Sequence, residues 1–132
     1  VVTLYVDSSA LLKRYVDEHD SAIAVELMDT DPVLVTSRIT EIEVRRNLAR
    51  LLDGDSWADS RRQLAIDLDV FALVGLDATT CSEAATIAER TGCRSLDALH
   101  LGSAVRAGAS VLTFDVRRAQ AGRAIGLDVI GV

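Results

Sequence analysis

A chain of 132 residues is long enough to bury one core and short for two, so a single domain spanning residues 1–132 is expected. Hydrophobic residues make up 49% and proline occurs once, which excludes a disordered or collagen-like chain; no apolar run approaches the roughly 20 residues of a membrane span and no signal-like leader stands out, so a soluble, cytoplasmic protein is expected. A formal net charge of -6 argues against a protein that blankets phosphate backbones, though not against an enzyme that gathers acids around a metal.

In chain order, Val1–Val6 reads as a short buried strand, followed by helices over Ser9–Val16 and Ser21–Met28 with the polar turn Asp17–Asp20 between them. Asp31-Pro32 marks a break before a second strand, Val33–Thr36. Ser37 is placed to N-cap a helix from Arg38 to about Leu52, which Asp53-Gly54-Asp55 ends. A helix from Ser56 to about Leu68 leads to a third strand near Ala72–Gly75. Helices Asp77–Thr91 and Ser95–Ala107 are closed by Gly92 and Gly108. A fourth strand, Ser110–Thr113, a helix Asp115–Ile125 stopped by Gly126, and a last strand, Asp128–Ile130, complete the chain. Short, wholly apolar strands between longer helices predict an α/β fold, a three-layer α/β/α sandwich with a central, mostly parallel sheet. Cys81 and Cys93 lack a CxxC or histidine neighbourhood and read as ordinary reduced thiols.

In such sheets ligands bind beyond the carboxyl ends of the strands, where strand order reverses. That rule singles out a few of the 20 acidic residues. Asp7 follows the first strand and Asp115 the fourth, in Leu112-Thr113-Phe114-Asp115. Both precede helices, so N-capping is an equally available role for each. Glu43 lies on the helix after the second strand, sharing a stripe with Arg46 and Asn47, where a surface ion pair is the simpler account. Asp97 stands in the first turn of an otherwise apolar helix, where dipole complementarity is the simpler account. Four carboxylates on one rim repel one another unless protonation or a cation relieves them. A hard divalent cation with oxygen ligands suits them, and such a site suits phosphodiester hydrolysis.

Asp7-Ser8-Ser9-Ala10-Leu11, Glu43-Val44-Arg45-Arg46, Leu96-Asp97-Ala98-Leu99-His100-Leu101 and Leu112-Thr113-Phe114-Asp115 occur in an order that resembles the PIN-domain nucleases. In length and detail the chain is similar to their bacterial toxin branch, the VapC ribonucleases of type II toxin-antitoxin systems. The resemblance implies a Mg2+- or Mn2+-dependent endoribonuclease. It implies that Asp7, Glu43, Asp97 and Asp115 form the metal-binding acidic quartet, with Glu43 acting through water, and that Ser9 and Thr113 orient a carboxylate or water. It further implies an RNA substrate, a cognate VapB-type antitoxin and a homodimer. Glu41, two residues before Glu43, points elsewhere on its helix and is the decoy of the motif.

Basic residues must position the phosphates beside an acidic site. Lys13, Arg14, Arg45, Arg46, Arg94 and Arg117 stand nearest the motifs, each equally explained as a solvated charge; Arg118 adjoins the last of them. Five aromatic residues leave little for base stacking. His100, alone on an apolar helix, reads as a packed structural residue, Trp57 as a core or interface anchor, and Tyr5 and Tyr15 as packing beneath the site. Three other readings compete. A haloacid-dehalogenase phosphatase needs a second aspartate where Ser9 stands. A receiver domain needs an acidic pair before the first helix. A non-catalytic PIN module that binds RNA or protein is the remaining alternative.

Overall fold

The computed structural model describes residues 2–30 and 33–132. Five strands form one parallel sheet: β1 Thr3–Val6, β2 Val33–Ser37, β3 Ala72–Val74, β4 Ser110–Thr113 and β5 Val129–Gly131, in the order β3-β2-β1-β4-β5. Seven α-helices join them: α1 Ser8–Leu11, α2 Ser21–Asp29, α3 Arg38–Leu51, α4 Gly54–Leu68, α5 Ala78–Thr91, α6 Ser95–Ala107 and α7 Val116–Ala124. The expected turn at Asp31-Pro32 and the first residue of the expected first strand lie outside the described residues. Among the described residues no helix is long and apolar enough to cross a membrane.

Alternation along the strands divides the core in two. Leu4, Val6 and Leu112 face one side, packed with Leu11, Val44, Leu48 and Leu64; Tyr5, Val35 and Val111 face the other, packed with Ile87, Leu101 and Ala104. The sheet is therefore covered on both faces, which is why its central strands are built mainly from apolar residues, with Thr and Ser confined mostly to their ends. The chain builds outward from β1 to β2 and β3, then returns to place β4 on the other side of β1. Strand order thus reverses between β1 and β4, and the register that sets Val6 beside Leu112 brings Asp7 next to Thr113 at that point.

Local structure departs from the sequence expectation in a few places. The first helix is not continuous over Ser9–Val16: α1 ends at Leu11 and a 3-10 turn, Leu12–Arg14, follows. The tighter turn lets Tyr15 donate its hydroxyl to Asp67 Oδ2 on α4 at 2.6 Å. Ser37 precedes α3 but does not cap it, because its hydroxyl is engaged with Tyr5 at 2.9 Å. Asp53-Gly54-Asp55 is not a long break either; Gly54, at φ 52°, turns the chain sharply enough for α4 to begin there.

Gly131 shows how closely β5 approaches the acidic end of the sheet. Its φ is +112°, and a Cβ built there would lie 2.3 Å from the carbonyl oxygen of Thr113. Gly131→Ala is expected to destabilise the fold by about 1–3 kcal/mol through strain and displacement of β4. Equilibrium denaturation measures this, and an unchanged midpoint would show that β5 does not bear on Thr113.

Candidate functional site

Asp7 leaves β1 at the strand-order reversal and is fully buried. It does cap a helix: Oδ1 accepts the Ala10 amide at 2.9 Å, together with the Ser9 hydroxyl at 2.7 Å. Its other oxygen, Oδ2, accepts the Thr113 hydroxyl at 2.5 Å and Arg118 Nη1 at 2.6 Å. Capping and site membership are therefore one geometry. Ser9 and Thr113 each spend their single proton on Asp7, and their oxygens accept the Phe114 amide at 2.8 Å and the Asp115 amide at 3.1 Å. The carboxylate of β1 and the turn after β4 are locked together.

The other acids arrive from separate helices. Asp115 caps α7, accepting the Arg118 amide at 3.0 Å. Asp97, in the first turn of α6 and 2% exposed, accepts Arg118 Nε at 3.0 Å on one oxygen and Arg94 Nε at 3.3 Å on the other. Glu43 on α3 accepts Ser8 Oγ at 3.0 Å and His100 Nε2 at 2.5 Å on Oε1. Burial works to raise the Glu43 pKa, but the hydrogen bonds from His100 and Ser8 outweigh it and hold the carboxyl below its ordinary range. Glu41, as expected of a decoy, pairs on the surface with Arg38 at 2.9 Å.

His100 is buried and structural, yet it touches the site directly. Its Nε2 lies 2.5 Å from Glu43 Oε1 and its Nδ1 2.8 Å from the Tyr5 hydroxyl, which in turn lies 2.9 Å from the Ser37 hydroxyl. Tyr5 does lie beneath the site. Tyr15 does not, being held by Asp67, and Trp57 is 40% exposed on α4.

Arg118 stands in the sequence as one of two adjacent basic residues after Asp115, with nothing in the pair itself to mark it as the one that turns into the acids. It is 4% exposed, and its guanidinium bridges Asp7 and Asp97. Burial opposes its charge, but Asp7, Asp97 and Glu43 more than offset that, so its pKa is raised above the ordinary arginine value. The available signal was the stripe Arg118, Gly122, Ile125, which follows the inward face of α7 once Asp115 is taken as its cap.

The remaining basic residues divide by position. Lys13 lies over the Phe114 ring at 5.0 Å and lines a cleft of about 330 Å3 with Ser9, Glu43, Asp115 and Arg118. Arg94 borders a cavity of about 370 Å3 with Glu43, Asp97 and Asp115. It also joins Arg90, Arg117 and Gln120 around an adjoining cleft of about 570 Å3 that reaches Asp97. Arg46 flanks Glu43 in a more apolar hollow with Ile42 and Leu96. Arg14 is turned to Asp29 at 2.9 Å, and Arg45 approaches Glu41 at 3.9 Å; neither lines these cavities.

The donor set suits a hard divalent cation: carboxylate and hydroxyl oxygens, with no thiol, and with the histidine committed to Glu43. Glu43 Oε2 and Asp115 Oδ2 accept no hydrogen bond among the described residues. No three acid, histidine or cysteine groups form a ready-made ligand cluster among those residues, and the Arg118 guanidinium lies between Asp7 and Asp97.

The family model described as PIN domain matches residues 4–124. Ribonuclease VapC46 of Mycobacterium tuberculosis is 31% identical over 133 residues, covering 98% of this chain and 98% of that protein. FitAcB from Neisseria gonorrhoeae shares the fold with a TM-score of 0.77 at 19% identity, covering 98% of this chain and 97% of that one. VapC20 of Mycobacterium tuberculosis, described as a sarcin-ricin loop cleaving toxin, does so with a TM-score of 0.75 at 20% identity, over 95% and 96%.

The Tyr5 hydroxyl beneath Glu43 is pushed up to about 12 by burial, against about 10 for an unfolded tyrosine. The stabilisation that depends on its proton is complete below pH 10 and declines as pH rises toward 12, by about 1.4 kcal/mol per unit. Tyr5→Phe is therefore expected to flatten the alkaline limb of a stability-pH profile measured by denaturation. An unchanged limb would place the Tyr5 hydroxyl outside the buried chain.

Proposed function

The chain belongs to the PIN domain family, and we propose that it is a metal-dependent endoribonuclease, the toxin of a VapBC-type toxin-antitoxin pair. The observation that carries this reading is one cavity lined by Glu43, Asp97 and Asp115 beside Arg118, whose guanidinium pairs with the buried Asp7 at the strand-order reversal of a parallel sheet. The naming of the similar mycobacterial chain as a ribonuclease supports RNA as the substrate.

When bound, Mg2+ or Mn2+ supplies the positive charge and the polarisation of water that phosphodiester hydrolysis requires. Asp7, Asp97 and Asp115 would hold it, with Glu43 contributing through water. Ser9 and Thr113 fix the plane of the Asp7 carboxylate, so its orientation is set before a ligand arrives. His100 and Ser8 keep Glu43 ionised and aimed into the cavity. Arg94, Arg117 and Lys13 border the acids and receive RNA phosphates on either side. No nucleophilic side chain takes part.

The antitoxin docks on the apolar surface of the early helices, where Ile23, Ile42, Leu51, Trp57 and Ile66 are exposed. A basic segment of that partner complements the acidic pocket, and the toxin works as a homodimer in the cytoplasm. One observation favours the alternative, a PIN module that binds without cleaving: the acids are already partly neutralised by Arg118.

Asp7→Ala is expected to lower RNA cleavage in Mg2+ by roughly 100-fold or more, while circular dichroism still shows native secondary structure, with a lowered melting temperature. Full activity in the variant would sink the assignment. Arg117→Ala is expected to weaken RNA binding and reduce the slope of log affinity against log salt by about 1. A filter-binding series gives that slope, and an unaltered value would remove Arg117 from the RNA track.

A further inference from the structure

Among the described residues Arg118 is the only lysine or arginine that is buried. It is buried against acids: Nη1 lies 2.6 Å from Asp7 Oδ2 and Nε lies 3.0 Å from Asp97 Oδ1. Two carboxylates this inaccessible to water require a counter-charge, and one guanidinium provides it to both through different nitrogens. The posture is held from below, since α7 starts at the Asp115 cap and the Arg118 amide is itself that cap's donor.

The same oxygens are the ones a divalent cation would need. Asp7 Oδ1 is committed to Ser9 and Ala10, and Asp7 Oδ2 to Thr113, leaving the position taken by Arg118 as the remaining approach to that carboxylate. A guanidinium and a divalent cation on those oxygens would sit within a few ångströms of each other in a water-poor site, where like charges repel strongly. Their occupancies exclude one another. Arg118 has room to leave, because it lines both the cleft beside Lys13 and the cavity beside Arg94.

We propose that Arg118 is the resident counter-cation of the acidic site, holding Asp7 and Asp97 in place before a metal arrives and yielding both carboxylates to the divalent cation when it binds. The inference rests on the metal-site reading above. It makes Arg118 a positioning residue whose state reports metal occupancy.

Calorimetric titration with Mn2+ tests it on the whole chain, for the wild type, Arg118→Met and Arg94→Met. Removing a competitor should tighten Mn2+ binding on the order of tenfold in Arg118→Met, lower the melting temperature without metal and enlarge the rise that Mn2+ produces. Arg94→Met removes an equal charge from Asp97 at an exposed position and should change binding far less. Equal gains in the two variants, or no gain in Arg118→Met, overturn the proposal.

If Arg118→Met does not fold without metal, the wild type still decides. The Arg118 Nε–H resonance should be protected from exchange in metal-free buffer and lose that protection when Mg2+ saturates the site. A resonance that stays protected at saturation overturns the exchange while leaving the metal site standing. Wild-type Mn2+ heats no different from those of Asp7→Ala overturn the metal site and the inference together.

Discussion

The acidic end of this sheet depends on burying the Asp7 carboxylate. A charge without water must have its lone pairs answered, and here the four donors come from three segments: α1, through the Ala10 amide and the Ser9 hydroxyl, the end of β4 and the first turn of α7. Each donor fixes the segment that carries it. The parallel register of β1 and β4 brings these segments within reach, and the hydrogen bonds hold them to fractions of an ångström that packing alone would not enforce. The remaining acids hang from this frame. Asp115 is set by the turn that Ser9 and Thr113 grip, and Asp97 is drawn in by the arginine that also holds Asp7.

Electrostatics and architecture are balanced locally. The net charge of -6 belongs to the whole chain, yet around Asp7 and Asp97 a single buried cation is shared by two carboxylates and offsets part of their charge. That partial neutralisation lets a cluster of acids coexist with an ordered core. The cleft holding Arg90, Arg94 and Arg117 begins where the acids end, so the field changes sign across one helix terminus. A polyanion is attracted to one side of the site and repelled by the other, which favours a fixed orientation.

Much of the fold is legible in the sequence because the strands are short apolar runs and the helix stops are explicit. Ser95–Ala107 and Ser110–Thr113 match the structure residue for residue, with Gly108 in the left-handed conformation between them. The approximate positions of Asp7 and Asp115 follow from the strand ends. What is not legible depends on tertiary partners. The 3-10 turn after the first helix carries Tyr15 to Asp67 far along the chain, and Ser37 forgoes capping because its hydroxyl is engaged with Tyr5. Arg117 and Arg118 are identical letters at adjacent positions, and only the rotation of α7 set by Asp115 decides which one turns inward. His100 is legible as buried, but its link to Glu43 needs the distance between α3 and α6.

The row from Ser37 through Tyr5 and His100 to Glu43 is continuous, with separations of 2.9, 2.8 and 2.5 Å. These four residues come from the end of β2, the middle of β1, α6 and α3. They form one hydrogen-bonded row, so replacing any one by a residue of similar size leaves its neighbour without a buried partner. Anyone grafting this acidic centre onto another scaffold must carry the row whole and leave its surroundings dry.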